Sequence, residues 1–454
     1  MSAPRRVLFT VSMLVLLSGC ASYGVIENTP IATANREDGY SVRTFTARSS
    51  HGETAVTVAL SGGGTRAAAL SYGVMKEMRD TPWQGGNGGA QTFLAEVDSI
   101  SSVSGGSFTA AYYGLFGERL FEDFEEKFLR KDVQGSLVRG LFNPFRWFSS
   151  SGRTELAVET YNRELFENAT YADMLKRDDL PLIIINASDL GYGVRFSFIQ
   201  DYFNFLCSDL STYPVARAVT ASSAVPIVFN PVVLENYPDC GTTPPEWLLA
   251  AKKRALESKS LRLQGLVTGL ETYYDKDTRK YAHFVDGGIT DNLGLLAVFD
   301  YIAVVGGVEA YIKKTDRTPP TRLVLISVDA STSPEPEMDS SNRQPSIAET
   351  VGAMSNVQLH RYNIATDELI KAAAQEWSEA LSTPGQPVEI YLIRISLEEL
   401  DDEEDQKFFN QVPTSFSLTD EQVDRLIAVG AQLLRDDPEF QRLLSEVNGP
   451  RVVN

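Results

Sequence analysis

The sequence predicts an α/β fold: a central, mostly parallel sheet flanked by helices, followed by a helical C-terminal extension. Two observations carry that prediction. Short apolar runs rich in β-branched residues alternate with stretches of helical period, which is the pattern of buried strands covered on both faces. Twice, a strand candidate passes through a turn of small residues directly into a helix.

The elements follow in order. Ala55 to Leu60 reads as a strand, Ser61 to Gly64 breaks it, and Arg66 to Met78 reads as a helix with Leu70, Val74 and Met78 on one face. Val97 to Val103 is a second strand, Ser104 to Ser107 a tight turn, and Phe108 to Phe116 a second helix. Further strand candidates are Leu180–Ile185, Val194–Ile199, Phe284–Val285, Leu323–Val328 and Ile390–Ile395. Ser331 to Ser346 is a Ser- and Pro-rich loop, and Ile347 to Leu381 and Thr419 to Leu444 are helical. Thr419 or Ser417 can cap the last of these, with Asp420 and Glu421 in its first turn. The acidic run Asp401 to Asp405 reads as a solvated loop rather than a cation site.

The chain has 454 residues, 43% of them apolar and 22% charged. That is enough for a sizeable core without metal or disulfide staples. The net charge of −19 argues against a nucleic-acid partner, which needs clustered Lys and Arg. It also argues against electrostatic capture by anionic lipid, so membrane attachment has to come from the N-terminus. There Arg5 and Arg6 precede an apolar stretch, Val7 to Leu17, of signal-peptide length and too short to span a bilayer. Leu17-Ser18-Gly19-Cys20 follows and resembles the lipobox of bacterial lipoproteins. The resemblance implies removal of residues 1–19, acylation of Cys20 and anchoring by its lipid chains; Ala21 after the cysteine resembles the outer-membrane sorting pattern. Residues 21–50 are polar and aperiodic and read as a tether. Cys207 and Cys240 can pair in an oxidising compartment, which spacing alone leaves open.

Three short motifs carry chemistry. Ser61-Gly62-Gly63-Gly64-Thr65-Arg66 lies between a strand and a helix; glycines there let successive N–H groups face one point at a helix N-terminus, suiting a phosphate or an oxyanion. No Gly-Lys-Ser/Thr follows and the dinucleotide spacing is not met. Ser102-Val103-Ser104-Gly105-Gly106 has the form of a nucleophile elbow with serine in place of its first glycine. Asp286-Gly287-Gly288 can present a carboxylate while the backbone turns away; alone it would be an ordinary turn.

In this order the three motifs resemble the patatin-like phospholipase family, with its G-G-G-x-R loop, G-x-S-x-G elbow and D-G-G. Ala221-Ser222-Ser223-Ala224-Val225-Pro226, Phe229, Pro231 and Asn292 agree with it over about residues 54–300. Pro413 to Leu418 is similar to C-terminal regions of bacterial patatin-like lipoproteins. Ser102 and Ala67 depart from family glycines, and the stretch from about Asn236 to Lys280 is not part of the family core. The resemblance implies a lipid acyl hydrolase domain over 51–335 and a C-terminal helical extension over 336–454 packed on it. It implies Ser104 as nucleophile, Asp286 as its base, an oxyanion hole from Gly62, Gly63 and Gly64, and no metal or cofactor. The chain has three histidines, His51, His283 and His360. His360 is the candidate for an alternative Ser-His-Asp esterase, and His283 should point away from Asp286 on their shared strand. A catalytically inactive lipid-binding lipoprotein is the remaining alternative. Arg66 reads as a loop-steadying or phosphate-meeting residue, and the aromatic cluster of Leu141, Phe142, Phe145, Trp147 and Phe148 as core or lid.

Overall fold

The computed structural model describes residues 23–33, 39–48, 53–85, 91–132, 152–226, 228–238, 240, 244–333 and 337–449. Cys20, His51 and the aromatic cluster at 141–148 lie outside them.

An eight-stranded sheet organises the chain. Its strands are β1 (Thr54–Leu60), β2 (Ser99–Val103), β3 (Leu182–Asp189), β4 (Arg195–Ser197), β5 (Val232–Glu235), β6 (Tyr281–Val285), β7 (Arg322–Asp329) and β8 (Glu389–Ser396). The order is β8-β7-β1-β2-β3-β6-β5, with β4 beside β3. β8, β7, β1, β2 and β3 run parallel, while β6, β5 and β4 pair antiparallel. Every expected strand is present, extended or trimmed by a few residues at its ends.

The helices that matter below are α1 (Val42–Arg48), α2 (Gly64–Asp80), α3 (Gly105–Phe116), α4 (Val215–Ser222), α5 (Glu246–Glu257), α6 (Leu261–Glu271), α7 (Gly288–Asp291), α8 (Leu296–Val305), α9 (Val308–Thr315), α10 (Ile347–Leu381), α11 (Asp420–Asp436) and α12 (Pro438–Asn448). Alternate residues of β1, Val56, Val58 and Leu60, are fully buried, as period-2 packing requires. Helix α2 is buried on nearly all sides because α11 covers its outer surface. The two helices cross closely: a Cβ at Gly73 would collide with the Ile427 carbonyl, and one at Gly430 would stand 2.6 Å from the Leu70 carbonyl oxygen. The stretch from Asn236 to Lys280, foreign to the family core, forms the α5–α6 pair, which packs on α8.

Four expectations are corrected. Residues 23–33 and 39–48 are not a free tether: Thr29–Pro30 pairs with Ser208–Asp209, Tyr40, Val42 and Phe45 are buried, and Arg217 binds Glu27 at 2.6 Å. The C-terminal region is not only a helical extension, since β8 pairs along its full length with β7. The helix expected over 419–444 is two helices, because Asp437 caps a new one at Pro438. The acidic run 401–405 opens a helix, with Asp402 accepting from the Glu404 and Asp405 N–H groups at 2.9 Å, where negative charge meets the positive end of the dipole. Thr419, by contrast, caps α11 in a reciprocal box with Gln422 as its residue type suggests.

Cys207 and Cys240 form a disulfide with a Cα–Cα distance of 5.3 Å. The loop it closes is 33 residues long, for which chain-entropy reasoning gives roughly 3–4 kcal/mol. Paired Cys207→Ser and Cys240→Ser substitution should therefore lower the urea-unfolding free energy by about 3 kcal/mol, and adding reductant to the parent should do the same.

Candidate active site

Ser104 sits where β2 turns into α3. Its backbone lies at φ 48°, ψ −116°, a strained conformation for a residue with a Cβ, costing of order 1–3 kcal/mol. Neighbouring small residues permit it. A Cβ at Gly105 would collide with the Gly64 carbonyl, and one at Gly106 would stand 2.8 Å from the carbonyl oxygens of Leu60 and Ser61. The elbow is thus pressed against the glycine loop. Polar bonds hold it there: the Ser104 N–H donates to Ser222 Oγ at 2.9 Å, and Ser222 Oγ donates to the Asn186 carbonyl at 2.6 Å. Ser102, in place of the family glycine, is bonded on both sides. It accepts from Ser107 Oγ at 3.1 Å and donates to the Ile184 carbonyl at 3.3 Å.

The Ser104 hydroxyl donates to Asp286 Oδ2 at 2.8 Å. Asp286 follows the end of β6, and the next backbone positions are tied to the segment after α4. The Asp286 N–H donates to the Ala224 carbonyl and the Gly287 N–H to the Ser222 carbonyl, both at 3.0 Å. Ser222 therefore holds Ser104 by its side chain and the backbone just after Asp286 by its carbonyl. The other carboxylate oxygen, Oδ1, accepts from the Gly288 N–H at 2.9 Å. Burial pushes the Asp286 carboxyl up to about 6, against the opposing pull of the Gly288 and Ser104 hydrogen bonds. The described histidines do not enter. His283 is exposed on β6, turned from Asp286 as its spacing predicts, and His360 lies half-exposed 3.7 Å from Glu398.

The glycine loop divides its N–H groups. Gly62 is corrected as an oxyanion donor, because its N–H already donates to the Asn292 carbonyl at 2.9 Å. A Cβ there would also stand 2.7 Å from Asn292 Oδ1. Gly63 and Gly64 take positive φ, 139° and 63°, which glycine adopts freely. They open α2, where N–H groups have no intrahelical acceptor, and among the described residues no acceptor bonds to either. The next donor is used: the Thr65 N–H donates to the Ser415 carbonyl at 2.8 Å.

Arg66 is buried and holds two backbone carbonyls, Ala330 through Nε at 2.8 Å and Val412 through Nη1 at 2.6 Å. Burial brings its guanidinium down to about 10. It clamps the C-terminal segment onto the loop and is not placed to meet a phosphate. A Cβ at Gly64 would stand 2.5 Å from the Ser415 carbonyl oxygen, so that segment lies directly on the loop. Its Phe416 ring packs on Phe108 and Phe229. Sequence reasoning did not assign Ser222, Asn186 or Ser415 a role, although Ser222 and Ser415 stand inside segments that carried the resemblance. Among the described residues no group of His, Cys, Asp and Glu could hold a metal.

This arrangement can move a proton from a serine hydroxyl to a buried carboxylate and stabilise an oxyanion beside it. A family model described as patatin-like phospholipase matches residues 58–299, more than half of the chain. No curated protein matches the sequence. Among solved structures, human GIVD cytosolic phospholipase A2 is similar over 95% of this chain and 69% of its own, at 11% identity and a TM-score of 0.46. VipD from Legionella pneumophila is similar over 96% and 73%, at 10% identity and a TM-score of 0.31. At these scores the two structures add nothing to the family match, which stands by itself.

The raised carboxyl of Asp286 makes a stability prediction. The unfolded group titrates near 3.8 and the folded one near 6, so stability is lost as pH rises from about 4 to above 6 and the penalty is complete beyond that. The difference corresponds to roughly 3 kcal/mol. Asp286→Asn should accordingly raise the unfolding free energy at pH 8 by up to that amount and change it little at pH 4, measured by denaturant titration at the two pH values.

Proposed function

This chain belongs to the patatin-like phospholipase family, a family of ester hydrolases, and we propose that it releases fatty acids from membrane lipids through a Ser104–Asp286 dyad. The single observation that carries the mechanism is the 2.8 Å hydrogen bond from Ser104 Oγ to Asp286 Oδ2 with no histidine between them. As Ser104 Oγ bonds to the ester carbonyl carbon, its proton passes to Asp286 Oδ2 and the carbonyl oxygen becomes an oxyanion facing the Gly63 and Gly64 N–H groups. When the carbon–oxygen bond to the leaving alcohol breaks, Asp286 returns the proton to that oxygen. Water then attacks the acyl-enzyme, giving its proton to Asp286, and Ser104 leaves with a proton as the fatty acid departs. A free aspartate is a weak base for this task, with a pKa of about 3.9; burial of Asp286 raises its basicity toward the working pH.

We further propose that the protein is an outer-membrane lipoprotein acylated on Cys20. What supports this is the lipobox-like sequence Leu17 to Cys20, and no described helix is long and apolar enough to cross a membrane. The anchor would be short. Gly24 already touches Val233 of β5, and the four residues from Cys20 to Gly24 span at most about 14 Å. The domain would then ride on the bilayer surface rather than on a long leash.

Ser104→Ala should abolish fatty-acid release from mixed phospholipid vesicles, by about three orders of magnitude or more, in chelator as well as without it. His360→Ala should retain activity within about twofold of the parent; its loss in a folded variant would move the mechanism to a triad. On a soluble ester, kcat/KM should rise about tenfold per pH unit up to about 6 and level off above, since the base must be ionised. Cys20→Ser should shift the protein from the membrane to the soluble fraction.

A further inference from the structure

A second apolar space lies away from the dyad. It is a cavity of about 140 Å³ between the sheet and the layer formed by α1, α8, α9 and α10. Its floor crosses five neighbouring strands, touching Leu392 on β8, Leu325 on β7, Thr57 on β1, Ser99 on β2 and Ile184 on β3. Five strands at ~4.8 Å spacing spread this floor over about 19 Å. It lies toward the opposite end of the strands from the nucleophile: Ser99 begins β2, whereas Ser104 follows its last residue, about 17 Å of strand away.

The lining fixes the chemistry of an occupant. The floor hydroxyls of Thr57 and Ser99 bond to each other at 3.1 Å, so neither calls for a polar ligand. The charged lining groups, Asp98 and Arg317, are paired at 3.0 Å. The remaining wall is mainly aliphatic and aromatic, with Ala297 and Ala374 leaving the room and Trp377 closing one side. An empty apolar cavity destabilises a fold, and one of comparable volume, about 150 Å³, takes up benzene. That volume holds about as many carbons as benzene has, and a lining spread across five strands suits an open apolar chain better than a polar headgroup.

We propose that this cavity binds one unbranched acyl chain of a fatty acid, methyl end first, as a lipid site separate from Ser104 and Asp286. The binding is independent of turnover, so its test stands whether or not the hydrolase mechanism holds. The experiment titrates Ser104→Ala protein with 8-bromooctanoic acid below its micellar concentration and follows tryptophan fluorescence, bromine being a contact quencher. The expected result is saturable quenching that unlabelled octanoate reverses and acetate does not. The quenching should disappear in Trp377→Phe and require at least tenfold more ligand in Ala297→Leu and in Ala374→Leu. Absence of saturable quenching, or quenching that survives Trp377→Phe unchanged, would overturn the proposal. If the leucine variants do not fold, the Trp377→Phe comparison decides.

Discussion

A buried hydrogen bond between Ser104 and Asp286 is the contact around which the rest of the structure is arranged. It joins the end of β2 to the end of β6, and it has to hold a serine in a strained backbone conformation against a carboxylate that burial makes reluctant to ionise. Both conditions cost stability, so the surroundings must fix them. Ser222 does so most directly, receiving the Ser104 N–H on its hydroxyl and the Gly287 N–H on its carbonyl. The parallel core, β8-β7-β1-β2-β3, carries the glycine loop and the Ser104 turn, and the antiparallel strand β6 beside it carries Asp286.

The glycine loop is held by parts of the chain far away in sequence. Asn292, six residues beyond Asp286, takes up the Gly62 N–H, while Ser415 takes up the Thr65 N–H. Among the described residues, the two donors between them, on Gly63 and Gly64, have no bonded acceptor. Arg66 completes the clamp by binding Ala330 and Val412. The C-terminal region therefore belongs to the site, lying directly on the loop that the N-terminal part of the domain provides.

Much of this was legible in the sequence. The strand–turn–helix units were readable because apolar runs and small-residue turns are local signals, and the order of three motifs placed Ser104 and Asp286 together. What escaped was long-range. A run of three glycines does not say which N–H a neighbour consumes, so Gly62 looked like an oxyanion donor until Asn292 was seen beside it. The segment before β1 read as a tether because Tyr40, Val42 and Phe45 are too few and too unevenly spaced to give a period, yet each finds a buried place. Ser222 and Ser415 act through hydrogen bonds to residues distant in sequence, Ser222 to Ser104 and Ser415 to Thr65, which no local pattern encodes. His360 lay in the chain order of a triad, but chain order does not bring a side chain to a site, and it points instead toward Glu398.

The central claim is that Ser104 is activated by Asp286 alone. The most direct measurement is the rate and position of covalent modification by an alkyl fluorophosphonate, followed by intact mass and peptide mapping. A single adduct is expected, on Ser104, forming at a rate that rises with pH through about 6 and falls at least a hundredfold in folded Asp286→Asn protein. An adduct on another residue, or an Asp286→Asn variant that reacts as fast as the parent, would contradict it.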